Sequence, residues 1–410
     1  IPAKYKKILR GEKMNNDRLI LITNPGSSSR KYALYKGNTF LCSLHFEFEG
    51  KKVVYTLKKS SGEKDKKETK FSNLDSVASG LPDILTNEGY IGGATNLDAI
   101  LARVTAPGSY FAKDHIVDDE CLKQLELAKE RAPLHVPVVT SEIEQLKKTF
   151  EGTSVIEISD SAFHNSRPEL MKAYAIDPEL AEKFDIKRWG YHGLSVGSIV
   201  RFMLKQDILR KKTIICHIGS GASITAVLDG KSFDTTMGYS PLEGVMMATR
   251  TGSIDVPAAL AIKRELKMQS DGEIEKYLNK KCGLLGVSGK SDDMREIIKL
   301  SEEGDTRGAF AHSLYIYRLQ VAIGQMAASL KGVDAIVFTA TIGERSDDIR
   351  KNVVDGLEYL GFALDTEKNL EKMDDRQVNI AAAGSKPIYV IKTDESDEMI
   401  VRANELLNKK

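Results

Sequence analysis

Cysteine is scarce in this sequence. There are four in 410 residues, Cys42, Cys121, Cys216 and Cys282, far apart and forming no Cys-x-x-Cys pair. That spacing argues against a disulfide framework or a zinc site and fits a reducing compartment. An excess of either charge is also missing, since 59 Lys and Arg stand against 58 Asp and Glu. A nucleic-acid surface or a strongly acidic partner, both of which need a one-sided charge, is therefore not expected. No stretch approaches the roughly 20 apolar residues of a membrane span. The first residues, IPAKYKKILRGEK, are basic but lack the apolar core of a secretion signal. The expectation is a cytoplasmic protein with no membrane and no nucleic-acid partner.

What is present is enough material for more than one core. Hydrophobic residues make up 41% of the 410, and single cores stop growing well short of that length. Met14 stands directly before the first good strand, so residues 1–13 read as an extension. The most informative feature is an internal echo. Residues 18–37, RLILITNPGSSSRKYALYKG, read as strand, Gly/Ser turn, strand. Residues 213–230, TIICHIGSGASITAVLDG, repeat that plan and close on Asp-Gly. A third related piece, 333–352, reads as strand, Gly turn and helix. Matched hairpins at the starts of two halves suggest a duplicated α/β domain with a cleft between the copies. Glycine lets a backbone approach phosphate and serine hydroxyls add donors. One Gly/Ser turn is simply a good turn; two matched turns and a third favour phosphate binding.

Segment 117–131, VDDECLKQLELAKER, predicts a helix with Cys121, Leu122, Leu125 and Leu127 on one side, acidic at its start and basic at its end. Segment 309–331 predicts a long apolar-periodic helix in a core or a subunit interface. The lysine-rich run 58–70, KKSSGEKDKKETK, reads as an exposed, mobile turn.

Phosphoryl transfer asks a protein for cations, a metal held by carboxylates, and donors that keep the phosphates in line. Five places offer such groups at strand or loop edges beside Gly or Pro. They are Asn24 with Gly26, Ser27, Ser28, Ser29 and Lys31; Arg103 in AILARVTAPGSYF; Asp160 in SVIEISDSAFH; His192 in KRWGYHGLS; and Arg250 in SPLEGVMMATRTGSID. A salt bridge for Arg103 and a helix cap for Asp160 are the bland alternatives.

The pieces NPGSSSRKY, ARVTAPGSYF, APLHVP, SDSAFH, WGYHGLS, CHIGSGAS, FDTTMGYSPLEGVMMATRTG, GLLGVSGKSDDMRE, FTATIGERS and KTDESDEMI occur in that order. From about residue 18 onward the chain resembles the acetokinase family of the acetate and sugar kinase/Hsp70/actin superfamily. The resemblance implies a duplicated actin-like (ribonuclease H-like) α/β fold, with residues 14–165 plus 394–410 as one domain and 166–393 as the nucleotide-binding one. It implies acetate kinase chemistry: magnesium-dependent (or manganese-dependent), reversible transfer of the ATP γ-phosphoryl group to acetate, giving acetyl phosphate and ADP, by a homodimer. Asn24 and Lys31 would bind phosphate. Arg103 and Arg250 would hold the carboxylate and the moving phosphoryl group, and His192 would donate to it. His135 would line the same pocket, with Thr105, Leu134, Tyr191 and Pro241 around the methyl group. Asp160 and Glu395, with Asn24, would hold the metal. His217, Gly219, Ser220 and Gly221 would meet the nucleotide phosphates, and Asp293, Met294, Arg295, Gly343 and Glu344 the adenosine. A carboxylate is already nucleophilic at pH 7, with a pKa of about 4 to 5, so no Ser-His-Asp set is needed and none is convincing.

The family's His-Arg-Val-Val-His-Gly-Gly is here Ala102-Arg103-Val104-Thr105-Ala106-Pro107-Gly108. Its Gly-Asn-Gly is Gly219-Ser220-Gly221, and its Gly-Gly-Ile-Gly-Glu-Asn is Ala340-Thr341-Ile342-Gly343-Glu344-Arg345. Its Gly-Asp-Ile-Asp-Pro is Gly252-Ser253-Ile254-Asp255-Val256. These departures leave room for propionate or another short-chain acid, and for pyrophosphate as donor. A non-kinase, ATP-hydrolysing binding protein has no use for the carboxylate clamp of Arg103, His192 and Arg250. A paralogue that keeps the fold without turnover is the third alternative.

Overall fold

A computed structural model describes residues 17–26, 28–93, 97–133, 136–371, 373 and 375–408. Residues 1–13, Ser27, Leu134 and His135, named above, lie outside the described residues. The chain divides into two compact units. The described residues up to Ala162, with those from Glu395 onward, form the first; Phe163–Asp394 forms the second.

The first unit is built on one sheet. β1 (Leu19–Pro25) and β2 (Ser29–Lys36) form the hairpin expected at 18–37, with Asn24 opposite Lys31. β3 (Thr39–Glu49), β4 (Lys52–Lys59) and β5 (Lys64–Glu68) extend it antiparallel. On the other side of β1, β6 (Ala99–Val104) and β8 (Val155–Ser159) add in parallel, and β7 (His115–Ile116) closes the edge. The order is β5-β4-β3-β2-β1-β6-β8-β7. β6 and β8 are almost wholly buried, as parallel strands covered on both faces must be. The helix Val136–Thr149 contributes Val139, Ile143 and Leu146 to the core that Leu21, Leu34 and Ile100 share. The helix Glu395–Leu407 packs on β6 and β8.

The second unit repeats the plan. β9 (Lys212–Ile218), β10 (Ala222–Leu228) and β11 (Lys231–Thr235) are antiparallel neighbours. β12 (Ala335–Thr339) and β14 (Ile388–Ile391) add in parallel beside β9, with β13 (Gln377–Asn379) at the edge. The order β11-β10-β9-β12-β14 matches β3-β2-β1-β6-β8 strand for strand. Alternate residues of β9 face two different cores. Ile214 and Cys216 meet Leu319, Ile323 and Met326 of the long helix Thr306–Leu330, while Ile215 meets Val196, Ile199 and Met203 of the helix Gly193–Lys205. Period-two alternation on a strand thus calls for a helix on each face.

Three sequence expectations change. The lysine-rich run is not a loose turn, because Lys59 ends β4 and Lys64–Glu68 is the edge strand β5, tied by Lys52–Glu68 and Lys59–Glu63 ion pairs. Lysines on an edge strand discourage pairing with another chain. In the helix Asp119–Lys129, Cys121 and Leu125 are buried but Leu127 is 55% exposed, so the apolar stripe is narrower than read. Gly343 does not form a turn after β12; it lies inside the short helix Ala340–Arg345.

In both units the parallel strands deliver the loops that carry the sequence motifs. β1, β6 and β8 lead to Gly26, Thr105 and Asp160; β9, β12 and β14 lead to Gly219–Gly221, Ala340 and Thr393. The carboxyl ends of parallel strands are where open α/β sheets bind ligands.

Candidate active site

In the first unit the charged groups meet at the ends of β6 and β8. Arg103 donates from Nη1 to Glu395 Oε2 at 2.8 Å and from Nη2 to Asp160 Oδ2 at 3.2 Å. Register explains the meeting: Arg103 pairs with Ile158 across β6 and β8, and Asp160 follows one step past Ser159 with its N–H on the Val104 carbonyl. Asp160 is 1% exposed. Burial opposes the charge on Arg103, yet Asp160 and then Glu395 hold its pKa above the ordinary value.

A second layer holds this pair in place. Asp114 accepts from the Ser159 N–H at 2.9 Å and from Arg402 Nε at 2.9 Å, and Arg402 Nη2 donates to the Ser159 carbonyl at 2.9 Å. The residue preceding Asp160 is therefore gripped on both its backbone groups. Arg402 sits on the helix that begins at Glu395, so one clamp orients both carboxylates that Arg103 joins.

Among the described residues no cluster of three or more His, Cys, Asp or Glu could hold a metal ion. Two carboxylates converging on one cation still fit a hard divalent ion of the magnesium kind. Such an ion uses one or two carboxylates and takes the rest of its shell from water and substrate phosphates. Asn24 is exposed beside the first turn, where the Gly26 N–H closes onto the Ser29 carbonyl at 2.9 Å, and Lys31 is exposed opposite it.

In the second unit His192 caps the helix Gly193–Lys205 in the left-handed region, φ 61°. A non-glycine residue held there is strained and stays only where its surroundings insist. Its Nδ1 meets Ser223 Oγ at 3.0 Å and its ring stacks on His217, centroids 4.0 Å apart; His217 in turn meets Ser195 Oγ at 2.8 Å. Nε2 is thereby aimed at Gly221. A Cβ on Gly221 would lie 3.2 Å from His192 Nε2 and 3.5 Å from Arg250 Nη1. The missing side chain leaves a cradle that two nitrogen donors face.

Arg250 is set there by its loop. Met247 donates to the Arg250 carbonyl at 3.1 Å, Cys282 to that of Thr249 at 3.0 Å, and Leu284 to that of Met247 at 2.9 Å. Gly283, φ 63°, lets this second loop press in, since a Cβ there would stand 2.2 Å from the Met247 oxygen. Burial lowers the Arg250 pKa from its ordinary value, and Nη1 faces the Met247 sulfur at 3.8 Å. A half-buried guanidinium with no carboxylate partner among the described residues is set to receive an anion.

A cavity of about 660 Å³ opens beside Ser220, lined by Asp293, Met294, Arg295, Ile298, Ile342 and Arg345 among others. Of the residues expected at the adenosine, Asp293, Met294 and Arg295 line it, whereas Gly343 and Glu344 do not. Gly343 is buried, and the Glu344 carboxylate accepts from the N–H groups of Ala340 and Thr393 at 3.0 and 3.1 Å. Thr341, Ile342 and Arg345 take their place in the wall. No local signal turns Glu344 away from the wall, because its partner Thr393 lies 49 positions away. Tyr191 is buried in the core of the second unit and donates to the Tyr239 carbonyl at 2.7 Å; Pro241 and Thr105 are half-buried. Sequence reasoning missed Asp114 and Arg402, which carry no local signal.

The family model that matches, over residues 19–402, is that of the acetokinase family. The chain is 38% identical over 393 residues to an acetate kinase of Clostridium botulinum (strain Okra / Type B1), covering 93% of this chain and 98% of that protein. It is 36% identical over 384 residues to one of Desulfitobacterium hafniense. The solved structure of a Francisella tularensis propionate kinase matches with a TM-score of 0.86 at 33% identity, covering 94% of this chain and 98% of that one. Porphyromonas gingivalis acetate kinase matches at 0.84 and 30% identity, covering 96% and 100%. The fold and these matches define a phosphotransferase with an α/β core in two units. The chain belongs to the acetokinase family.

Proposed function

We propose that the chain transfers the γ-phosphoryl group of ATP to acetate, reversibly, giving acetyl phosphate and ADP. The observation that carries this reading is the pair His192 and Arg250, whose nitrogens face the cradle at Gly221, with no carboxylate on the half-buried guanidinium among the described residues. A bound anion would balance that charge.

Transfer would proceed in line and directly, since the acceptor carboxylate needs no base. Arg103 and Arg250 neutralise the acetate and the equatorial oxygens of the moving group, and His192 Nε2 donates to it. Ser223 and His217 fix the imidazole so that this donor costs no reorganisation. Gly219, Ser220 and Gly221 take the nucleotide phosphates, and Asn24 and Lys31 serve phosphate at the first turn. Asp160 and Glu395, with Asn24, would hold magnesium or manganese, which when bound supplies positive charge to the phosphates. The cavity beside Ser220 is large enough for a nucleoside, which favours a nucleotide over pyrophosphate. Thr105, Leu134, His135, Tyr191 and Pro241 are assigned to the acid's pocket; a propionate preference has support in the Francisella match.

A homodimer and a cytoplasmic location complete the reading. The helix Val256–Glu265 buries none of its residues and exposes Val256 and Leu260, and the helix Thr306–Leu330 exposes Phe310, Tyr317 and Val321. Apolar side chains of that size left open suit a partner subunit. No helix among the described residues is long and apolar enough to cross a membrane.

The test is hydroxylamine trapping of acyl phosphate from acetate, ATP and magnesium, with Arg250→Ala alongside. Signal that vanishes in the variant supports the assignment, and exchanging acids and donors then defines the substrates. Silence from the folded native chain with every donor would sink it.

A further inference from the structure

A buried ion pair lies under the first turn, and none of the roles assigned above uses it. Arg30 opens β2 opposite Pro25 and is 2% exposed. Its Nη1 donates to the Gly26 carbonyl and, at 3.4 Å, to that of Ser29; Nη2 donates to Asp75 at 2.6 Å. Its Nε stands 3.3 Å from Oε2 of Glu142. Glu142, also 2% exposed, lies on the helix Val136–Thr149, and its Oε1 accepts from Thr23 Oγ1 at 3.3 Å. The Tyr32 phenol lies beside the same carboxylate, and burial, then Glu142, raises its pKa.

Stability gives no reason for such a pair. Replacing a buried Arg–Glu pair by apolar side chains of similar volume is commonly neutral or stabilising. What the pair does is local to the turn. The guanidinium takes up the carbonyls of Gly26 and Ser29, the negative ends of peptide dipoles that would otherwise stand near a bound anion. Glu142 then holds both strands of the hairpin, β1 through Thr23 and β2 through Arg30. Thr23 is the neighbour of Asn24.

We propose that Arg30 and Glu142 are positioning residues for phosphoryl transfer, a buried pair that holds Asn24, Gly26 and Ser29 where they receive phosphate. This rests on the kinase reading above. The rival is a turn closed only for the sake of folding, and the two accounts part when the pair is removed as a pair.

Arg30→Leu alone strands a buried carboxylate and would report on folding rather than on position. The deciding protein is the double variant Arg30→Leu/Glu142→Leu, compared with the native chain. The expected result is a native melting temperature or higher, kcat lower by about 10- to 100-fold, the usual scale for outer-shell positioning groups, and an acetate KM within about twofold, since no group touching acetate has changed. Calorimetric titration with inorganic phosphate should show weaker binding. A stable double variant with native kcat and native phosphate affinity overturns the proposal. If the double variant does not fold, Glu142→Gln takes its place, with circular dichroism to establish the native fold: lowered kcat and phosphate affinity support positioning, and native values overturn it. Absence of acyl phosphate from the native chain itself would count against the kinase reading, and phosphate titration would still decide the role of the turn.

Discussion

A single carboxylate shows how much the charge placement in this molecule depends on what surrounds each group. Glu157, on β8, is fully buried, and among the described residues neither of its oxygens has a hydrogen-bond partner. Burial first, and Asp114 second, raise its pKa well above the ordinary 4.5, while Arg402 works the other way. A folded-state pKa above the unfolded one means the folded chain binds the extra proton. Its stabilising effect is therefore complete below pH 4.5 and is lost as pH rises through the folded value. Glu157→Gln should remove that loss. Urea titrations at a series of pH values from 5 to 8 should show the native chain losing stability relative to the variant as pH rises. Parallel curves would mean that Glu157 titrates normally. At this scale the sequence made some residues conspicuous and hid others. Arg103, His192 and Arg250 stood out because each has Gly or Pro close by at the edge of an apolar run, and Asp160 because it ends an alternating strand. Glu157 looked like one polar position in an alternating strand, and nothing near Arg402 in sequence announces Asp114, 288 positions away.

At the scale of elements, the helix Glu395–Leu407 has two jobs on one axis. Its first residue pairs with Arg103, and two turns later Arg402 grips Asp114 and the Ser159 carbonyl. Arg402→Leu should leave Asp114 and the Ser159 carbonyl short of a buried donor, costing about 3 to 5 kcal/mol of stability. In protein that remains folded, the magnesium concentration for half-maximal rate should rise by about 10-fold or more, as when an outer partner of a metal ligand is removed. An unchanged magnesium requirement in a destabilised protein would reduce the clamp to a purely structural one. The hairpins at 18–37 and 213–230 were legible because turn chemistry and β-periodicity agree there. Edge strand β5 was not, because lysine alternating with acid on a two-stranded margin has the composition of a solvated loop. The placing of Glu344 was also illegible: a carboxylate next to glycine in a phosphate-binding segment invites a ligand role, and its backbone partner Thr393 lies 49 positions away.

Across the whole molecule the repeated order, three antiparallel strands and then two parallel ones, appears once in each unit. Each copy places its turn residues at the carboxyl ends of its parallel strands, so one geometric plan occurs in both units. The echo in sequence revealed the duplication; the partner strands β6, β8, β12 and β14 had to be inferred from it, since short buried apolar runs carry no period of their own. The proposed dimer is tested at this scale. Light scattering should give the native chain a mass of twice 45.3 kDa, and Leu260→Glu with Tyr317→Glu should bring it to one chain with the fold retained. A native monomer would rule the dimer out.

The return of the final helix to the first unit also bears on the order in which the protein is made. When a ribosome has finished β14, every strand of both sheets exists, yet Arg103 still faces one carboxylate rather than two. Glu395 emerges only after the whole of Phe163–Asp394. The strands that carry Arg103 and Asp160 are thus among the first parts synthesised, and the charge cluster they build is among the last to become complete.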